Sequence, residues 1–297
     1  EALMGARFGR ETLLSGVTTI RNVGAGGYSD VALRDAINAG DVIGPRILAS
    51  GPALGITGGH CDSNMLAPEY NDRGDGVADG VDAVRAMVRR NVKYGADVIK
   101  YCGTGGVFSK GTRVGAQQYT PEEVAAIVDE AHMHGRKVAV HAHGANGIKV
   151  ALKAGVDTIE HASLIDQEGL DLAKKTGAFL SMDIFNTEYT QSEGPKRGEM
   201  EEFLRKDREV AQAQRDNFQK AVQMGIKLTM GTDTGVHPHK DAPKQLAYMV
   251  QYGMTPMQAI QAATKVGAEA LGIEAEVGQV APGYAADIVA VTRDPLT

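Results

Sequence analysis

The sequence predicts an α/β fold, a (β/α)₈ barrel of the TIM type, and three observations predict it. A unit of amphipathic stretch, glycine and short β-rich run recurs along the 297 residues, as in "VKYGADVIKYCG" and "LKAGVDTIEHAS". Each run is apolar and rich in β-formers, as a parallel strand buried on both faces must be. Lysine, histidine and aspartate stand where several of these runs end, the end at which barrels of this kind do chemistry. An open doubly wound sheet is the second choice, because no Gly-x-Gly-x-x-Gly turn follows a strand.

The chain opens on "EALMGARFGRETLLSGVTTI", a helix leading into a strand, with no initiator methionine. A barrel strand normally precedes such a helix, so the first strand is expected ahead of residue 1. "IGPRILASG" at 43–51 is the next strand, with a Gly-Pro lead-in. "GADVIKYC", "KVAVHAH", "VDTIEH", "GAFLSMD" and "GIKLTMGTD" supply five more. The glycines ahead of these runs suit the left-handed residue that follows a helix. "TPEEVAAIVDEAHMHG" begins with Thr120 as N-cap, Pro121 next and Glu123 at the third helical position, a capping box. Thr255-Pro256 opens a similar helix at 255–272. The polar stretch at 190–207 reads as a loop passing into an exposed helix. "GTGGVFSKGT" lacks the Gly-x-x-x-x-Gly-Lys-Ser/Thr pattern of a phosphate loop and reads as a flexible loop admitting substrate. The tail, with Gly278, Pro282-Gly283 and alternating "ADIVAV", reads as a turn and strand outside the barrel. The expected division is therefore a barrel over 1–276 and, over 277–297, one strand of a small β-sandwich.

Hydrophobic residues make up 43% of the chain and charged residues 23%, enough for a large core and an ordinary aqueous surface. A net charge of −6 without any basic run gives nucleic acid no footing. No apolar run approaches the roughly 20 residues that span a bilayer. The compartment is left open, since targeting sequence would lie ahead of the expected upstream strand. Two cysteines, Cys61 and Cys102, form neither a disulfide framework nor a Cys-x-x-Cys metal site. Cys102 reads as a small packed thiol rather than a nucleophile, because no base is assigned to it.

Lys100 closes an apolar strand, where an ammonium without a partner is costly. His141 and His143 close another strand, His161 a third, Asp183 a fourth and Asp233 a fifth. A single strand-end histidine is more often a hydrogen-bonded structural residue. Imidazoles and carboxylates converging from neighbouring strands suit Zn²⁺ or a similar divalent ion. His141 and His143 share a face by the period-two rule, so one can ligate while the other touches substrate. His60, in the glycine-rich "GITGGHCD", is a second candidate substrate contact. Tyr101 is a third, as a hydroxyl donor, although a regular strand would point it away from Lys100. His237 and His239 read as loop residues, and His132 and His134 as helix-surface residues.

In this order, Lys100, His141, His161 and Asp233 resemble the amidohydrolase superfamily with a binuclear metal centre. The resemblance covers essentially the whole chain. "TGGHCD" and "VAVHAHG" are similar to the imidazolonepropionase-related branch with Xaa-Pro dipeptidases (prolidases), metal carboxypeptidases and ochratoxin-hydrolysing amidases. The resemblance implies two divalent metal ions, zinc by expectation, with Lys100 carboxylated as a bridging ligand and His141, His161 and Asp233 as further ligands. It implies attack of a metal-bridging hydroxide on the amide of a dipeptide or N-acyl amino acid, with Asp233 as general base and then acid. A homo-oligomer is also implied. The family's His-x-His pair on its first strand has no counterpart here, which fits a strand ahead of residue 1. Two other readings stay open: a Schiff-base lyase using Lys100, and a non-catalytic barrel lacking the His-x-His ligands.

Overall fold

The computed structural model describes residues 2–296. Helix α1 (Ala2–Leu14) leads through a glycine turn into β1 (Thr19–Asn22). Then come α2 (Ser29–Ala39), β2 (Arg46–Ala49), α3 (Val81–Lys93) and β3 (Val98–Cys102). The middle of the chain alternates strictly: α4 (Pro121–Met133), β4 (Lys137–Gly144), α5 (Ala145–Ala154), β5 (Thr158–Leu164), α6 (Gln167–Thr176) and β6 (Phe179–Ser181). Two consecutive helices follow, α7 (Ile184–Arg197) and α8 (Glu201–Met224), before β7 (Leu228–Thr229), α9 (Lys244–Gln251), α10 (Pro256–Ala263) and α11 (Lys265–Leu271). Among the described residues, no helix is long and apolar enough to cross a membrane.

β3 to β7 form one parallel sheet in sequence order, and β1 pairs in parallel with β2. The two sheets are continuous through the backbone. Asp97 N donates to Ala49 O at 2.7 Å, Leu54 N to Lys100 O at 2.8 Å and Cys102 N to Leu54 O at 2.8 Å. Seven parallel strands thus run in chain order with helices outside them, the TIM-type arrangement, and no pairing joins β7 to β1 among the described residues.

The core lies between the sheet and its helices. Ile99 and Tyr101 on β3, Val138, Val140 and Ala142 on β4 and Ile159 on β5 point outward into it, with Ile127, Leu152 and Phe218 from the helices. The other parity faces the barrel interior, and that interior is polar. Arg21 reaches across from β1 to β5, donating to Glu160 Oε1 at 2.6 Å and to Thr158 Oγ1 at 2.7 Å.

Several local expectations need correction. Residues 190–197 continue α7, and α8 is not an exposed helix: Phe203, Leu204, Lys206, Asp207, Val210, Gln214, Asn217, Phe218 and Ala221 are buried along it. The helix at 255–272 breaks at Thr264 into two. The capping boxes at Thr120 and Thr255 form as the sequence predicts. The glycine-rich segment after β3 is pinned, not loose. Gly105 N donates to Ala116 O at 2.8 Å, Gly115 N to Gly105 O at 2.9 Å, and the Lys206 ammonium to Ser109 O at 2.6 Å. Cys61 and Cys102 are joined in a disulfide, so the packed-thiol reading of Cys102 gives way to a covalent tie between the β2–α3 loop and the end of β3. In the tail, 286–291 carries no strand, and Ile288, Val289 and Val291 are exposed.

Candidate active site

Lys100 occupies the inward parity of β3 and is 5% exposed. No hydrogen bond or ion pair to its ammonium forms among the described residues. Burial depresses its pKa, with the Glu160 carboxylate working against that. An amine so placed is readily driven to its uncharged, nucleophilic form.

β4 delivers His141 and His143 inward on alternate positions, as the sequence predicts. His143 is fixed twice: its backbone N–H donates to Thr104 Oγ1 at 3.0 Å and its Nδ1 lies 2.9 Å from Ser163 Oγ. His141 is different. Its Nε2 is buried and has no hydrogen-bond partner among the described residues. Burial holds both imidazoles well below their ordinary pKa, with neighbouring histidines adding to it, so both are neutral rings with a lone pair to offer.

His161 should face away by strict alternation, because Ile159 on the same parity points into the outer core. The backbone overrides this. His161 and Ala162 both take left-handed φ values, 69° and 50°, and the β4–β5 register shifts between Ala142 and Gly144. The break turns the His161 ring into the cluster, stacked on His143 with ring centres 4.7 Å apart. Such strain in non-glycine residues persists only where the surroundings over-determine it, and it concentrates at functional sites. Asp233 after β7 is likewise left-handed, at φ 47°.

The ligand atoms fall into two overlapping groups, each within 4.8 Å: His141, His143 and His161, then His161, Asp183 and Asp233. Nitrogen and carboxylate donors in this number, one of them a buried lone pair without a partner, fit a divalent cation. His161 Nδ1 lies 2.9 Å from Asp183 Oδ1. Burial disfavours its imidazolium, but Asp183 and then Asp233 outweigh this and raise its pKa. Asp233 as a residue is exposed, but its carboxyl lies in the cluster, and the loss of water around it raises its pKa, offset in part by His161.

The amidohydrolase family model matches residues 2–297. The chain belongs to the amidohydrolase family. Ochratoxinase of Aspergillus niger is 35% identical to this amidohydrolase over 316 residues, 99% of the chain and 64% of the relative. The crystal structure of a Xaa-Pro dipeptidase with bound methionine in the active site superposes with a TM-score of 0.95 at 40% identity, covering 99% of this chain and 74% of that one. Imidazolonepropionase of Sphingopyxis alaskensis is 25% identical over 256 residues, 82% of the chain and 53% of the relative. These likenesses fall in the branch that the sequence motifs resemble, and the chain spans 64% of the length of the ochratoxinase it matches.

Of the residues singled out in the sequence, Lys100, His141, His143 and His161 converge inside the amidohydrolase barrel with Asp183 and Asp233. His60 joins them, stacked on His141 with ring centres 4.0 Å apart and its Nδ1 2.8 Å from Ser109 Oγ. Burial pushes its pKa down to about 3, with His161 and Lys100 adding. Tyr101 does not join. Regular alternation sends its ring outward, fully buried against Tyr119 at 6.0 Å between centres, so its hydroxyl is not placed to meet a substrate. His237 is buried in its loop, Nε2 2.9 Å from Thr232 O, and His239 stacks on Phe8 of α1. Sequence reasoning missed Asn186, Gln214 and Asn217, whose amides reach this cluster. Ordinary polar residues on helices gave no signal.

Proposed function

We propose that the protein is a metal-dependent hydrolase cleaving the amide bond of a dipeptide or N-acyl amino acid, in the manner suggested by its prolidase and ochratoxinase relatives. The observation that carries the reading is the convergence of donor atoms from His141, His161 and Asp233, with His161 common to both donor groups, beside Lys100, which is buried and without a hydrogen-bond partner among the described residues. Lys100, His141, His161 and Asp233 would hold two divalent ions, zinc being the best match to this donor set. Carboxylation of Lys100 fits its burial: the neutral amine adds to CO₂, loses a proton, and a costly cation becomes an anionic ligand. Ions held there supply an acidified water and a polarised carbonyl.

The remaining work falls to the chain's own groups. Asp233, exposed on a left-handed turn, takes the proton of the attacking water and passes it to the departing amine. The Nε2 edge of His143 is available to the substrate carbonyl or carboxylate, because Ser163 occupies Nδ1. His60 forms a further wall beside His141. The test is Asp233→Asn in the whole metal-loaded protein, against Xaa-Pro dipeptides, other dipeptides and N-acyl amino acids. The expected result is a folded protein that has lost most of its turnover; unchanged turnover would overturn the assignment.

A further inference from the structure

Behind the two ligand groups lies a set of uncharged amides. Asp183 accepts from His161 Nδ1 at 2.9 Å and from Gln214 Nε2 at 3.0 Å on one oxygen, and from Asn186 Nδ2 at 2.9 Å on the other. Both oxygens are therefore occupied by donors, and the residue is 5% exposed. Asp233 differs: it is exposed, and among the described residues its hydrogen-bond donor is Asn186 Nδ2, at 3.0 Å to Oδ2. A single NH₂ group thus gives one proton to each carboxylate and sets the distance between them. Gln214 and Asn217 lie one turn apart on α8, which packs on β5. Asn217 Nδ2 donates to Ser163 O at 3.0 Å, and the hydroxyl of that serine meets His143. One face of α8 thereby reaches the outer nitrogens of both imidazoles.

Building on the metal-hydrolase reading above, we infer that Asp183, Asn186 and Gln214 form a positioning cradle that fixes which His161 nitrogen faces the metal and holds Asp233 at its working distance. Asp183 acts through His161 rather than as a ligand. A carboxylate accepting from Nδ1–H leaves the Nε2 lone pair as the coordinating one, and it raises the basicity of that nitrogen. Neutral amides are suited to hold Asp183, because a cation in their place would take up the charge that His161 needs. The cradle also explains why α8 is buried on a polar face.

Asp183→Asn and Gln214→Leu are compared with wild type in the whole protein, by elemental analysis after timed exposure to a chelator and by the visible spectrum of the cobalt(II)-substituted form. Both variants are expected to release metal about 10- to 100-fold faster and to shift the cobalt bands. The metal-free variants should still unfold cooperatively, at a somewhat lower temperature than wild type because each disrupts buried hydrogen bonds at Asp183. Asp183→Asn with wild-type retention and spectrum would overturn the inference. So would Gln214→Leu behaving as wild type while Asp183→Asn loses one metal equivalent, since that marks Asp183 as a direct ligand. A wild-type protein that takes up no metal would overturn the underlying metal reading as well, and retention data alone separate that case.

Discussion

Adding one methyl group at Gly144 should damage this protein more than its size implies. Gly144 follows His143 at the end of β4, with φ −84° and ψ 142°, angles that alanine adopts freely. Backbone conformation therefore does not require glycine there; proximity does. A Cβ on Gly144 would stand 2.0 Å from the Gly115 carbonyl oxygen and 2.7 Å from its carbon. Non-bonded carbons settle about 3.5 Å apart, so the strand end and the pinned loop must separate by roughly 1 Å. Overpacking of this kind costs about 1–3 kcal/mol. A displacement of about 1 Å in a positioning group can cost on the order of 100-fold in rate. Gly144→Ala should therefore lower the unfolding temperature and reduce kcat/KM by a factor of tens to hundreds in the metal-loaded protein. Gly9→Ala is the matched control. Its new Cβ would meet Pro45 Cδ at 3.8 Å, an ordinary contact, and it lies inside α1, where alanine is favoured by about 0.5–1 kcal/mol. Wild-type stability and turnover in Gly144→Ala would refute the close approach and the placement of His143 that depends on it.

Three further outcomes are expected. Burial pushes the Asp207 carboxyl up to about 6, against hydrogen bonds from Gln191 and Thr187. The folded state therefore holds this proton more tightly than the unfolded chain, so stability from this site is greatest below about pH 4 and is lost as pH rises through 6. Asp207→Asn should remove a pH-dependent loss of stability of at most about 3 kcal/mol in total, measured by denaturant unfolding from pH 4 to 8; an unchanged pH profile would contradict it. Arg21→Met should destabilise by about 3–5 kcal/mol because it strands the buried Glu160 carboxylate. Adding Glu160→Gln should recover most of the loss, and a strictly additive double variant would argue against the pairing. Alkylation of the denatured, unreduced protein should label no cysteine, whereas labelling at both positions would dismiss the Cys61–Cys102 bond.

The order of strands and helices was legible along the chain because each strand is buried on both faces and each helix is amphipathic, which are local, periodic properties. Lys100, His141 and His143 could be placed inward by parity alone. His161 could not: its parity is that of Ile159, and only the left-handed turn at His161 and Ala162 brings the ring inside. That turn is imposed by neighbouring strands and leaves no mark in "TIEHAS". The same limit hid the Asn186–Asp183–Gln214 contacts, which join residues up to 31 positions apart, and the pairing of Cys61 with Cys102, 41 apart. By itself the sequence determined which side chains stand at strand ends, since that follows from the one-dimensional rhythm of burial. Tertiary structure alone decided how those side chains are turned, spaced and supported, because hydrogen bonds between distant segments set each of these.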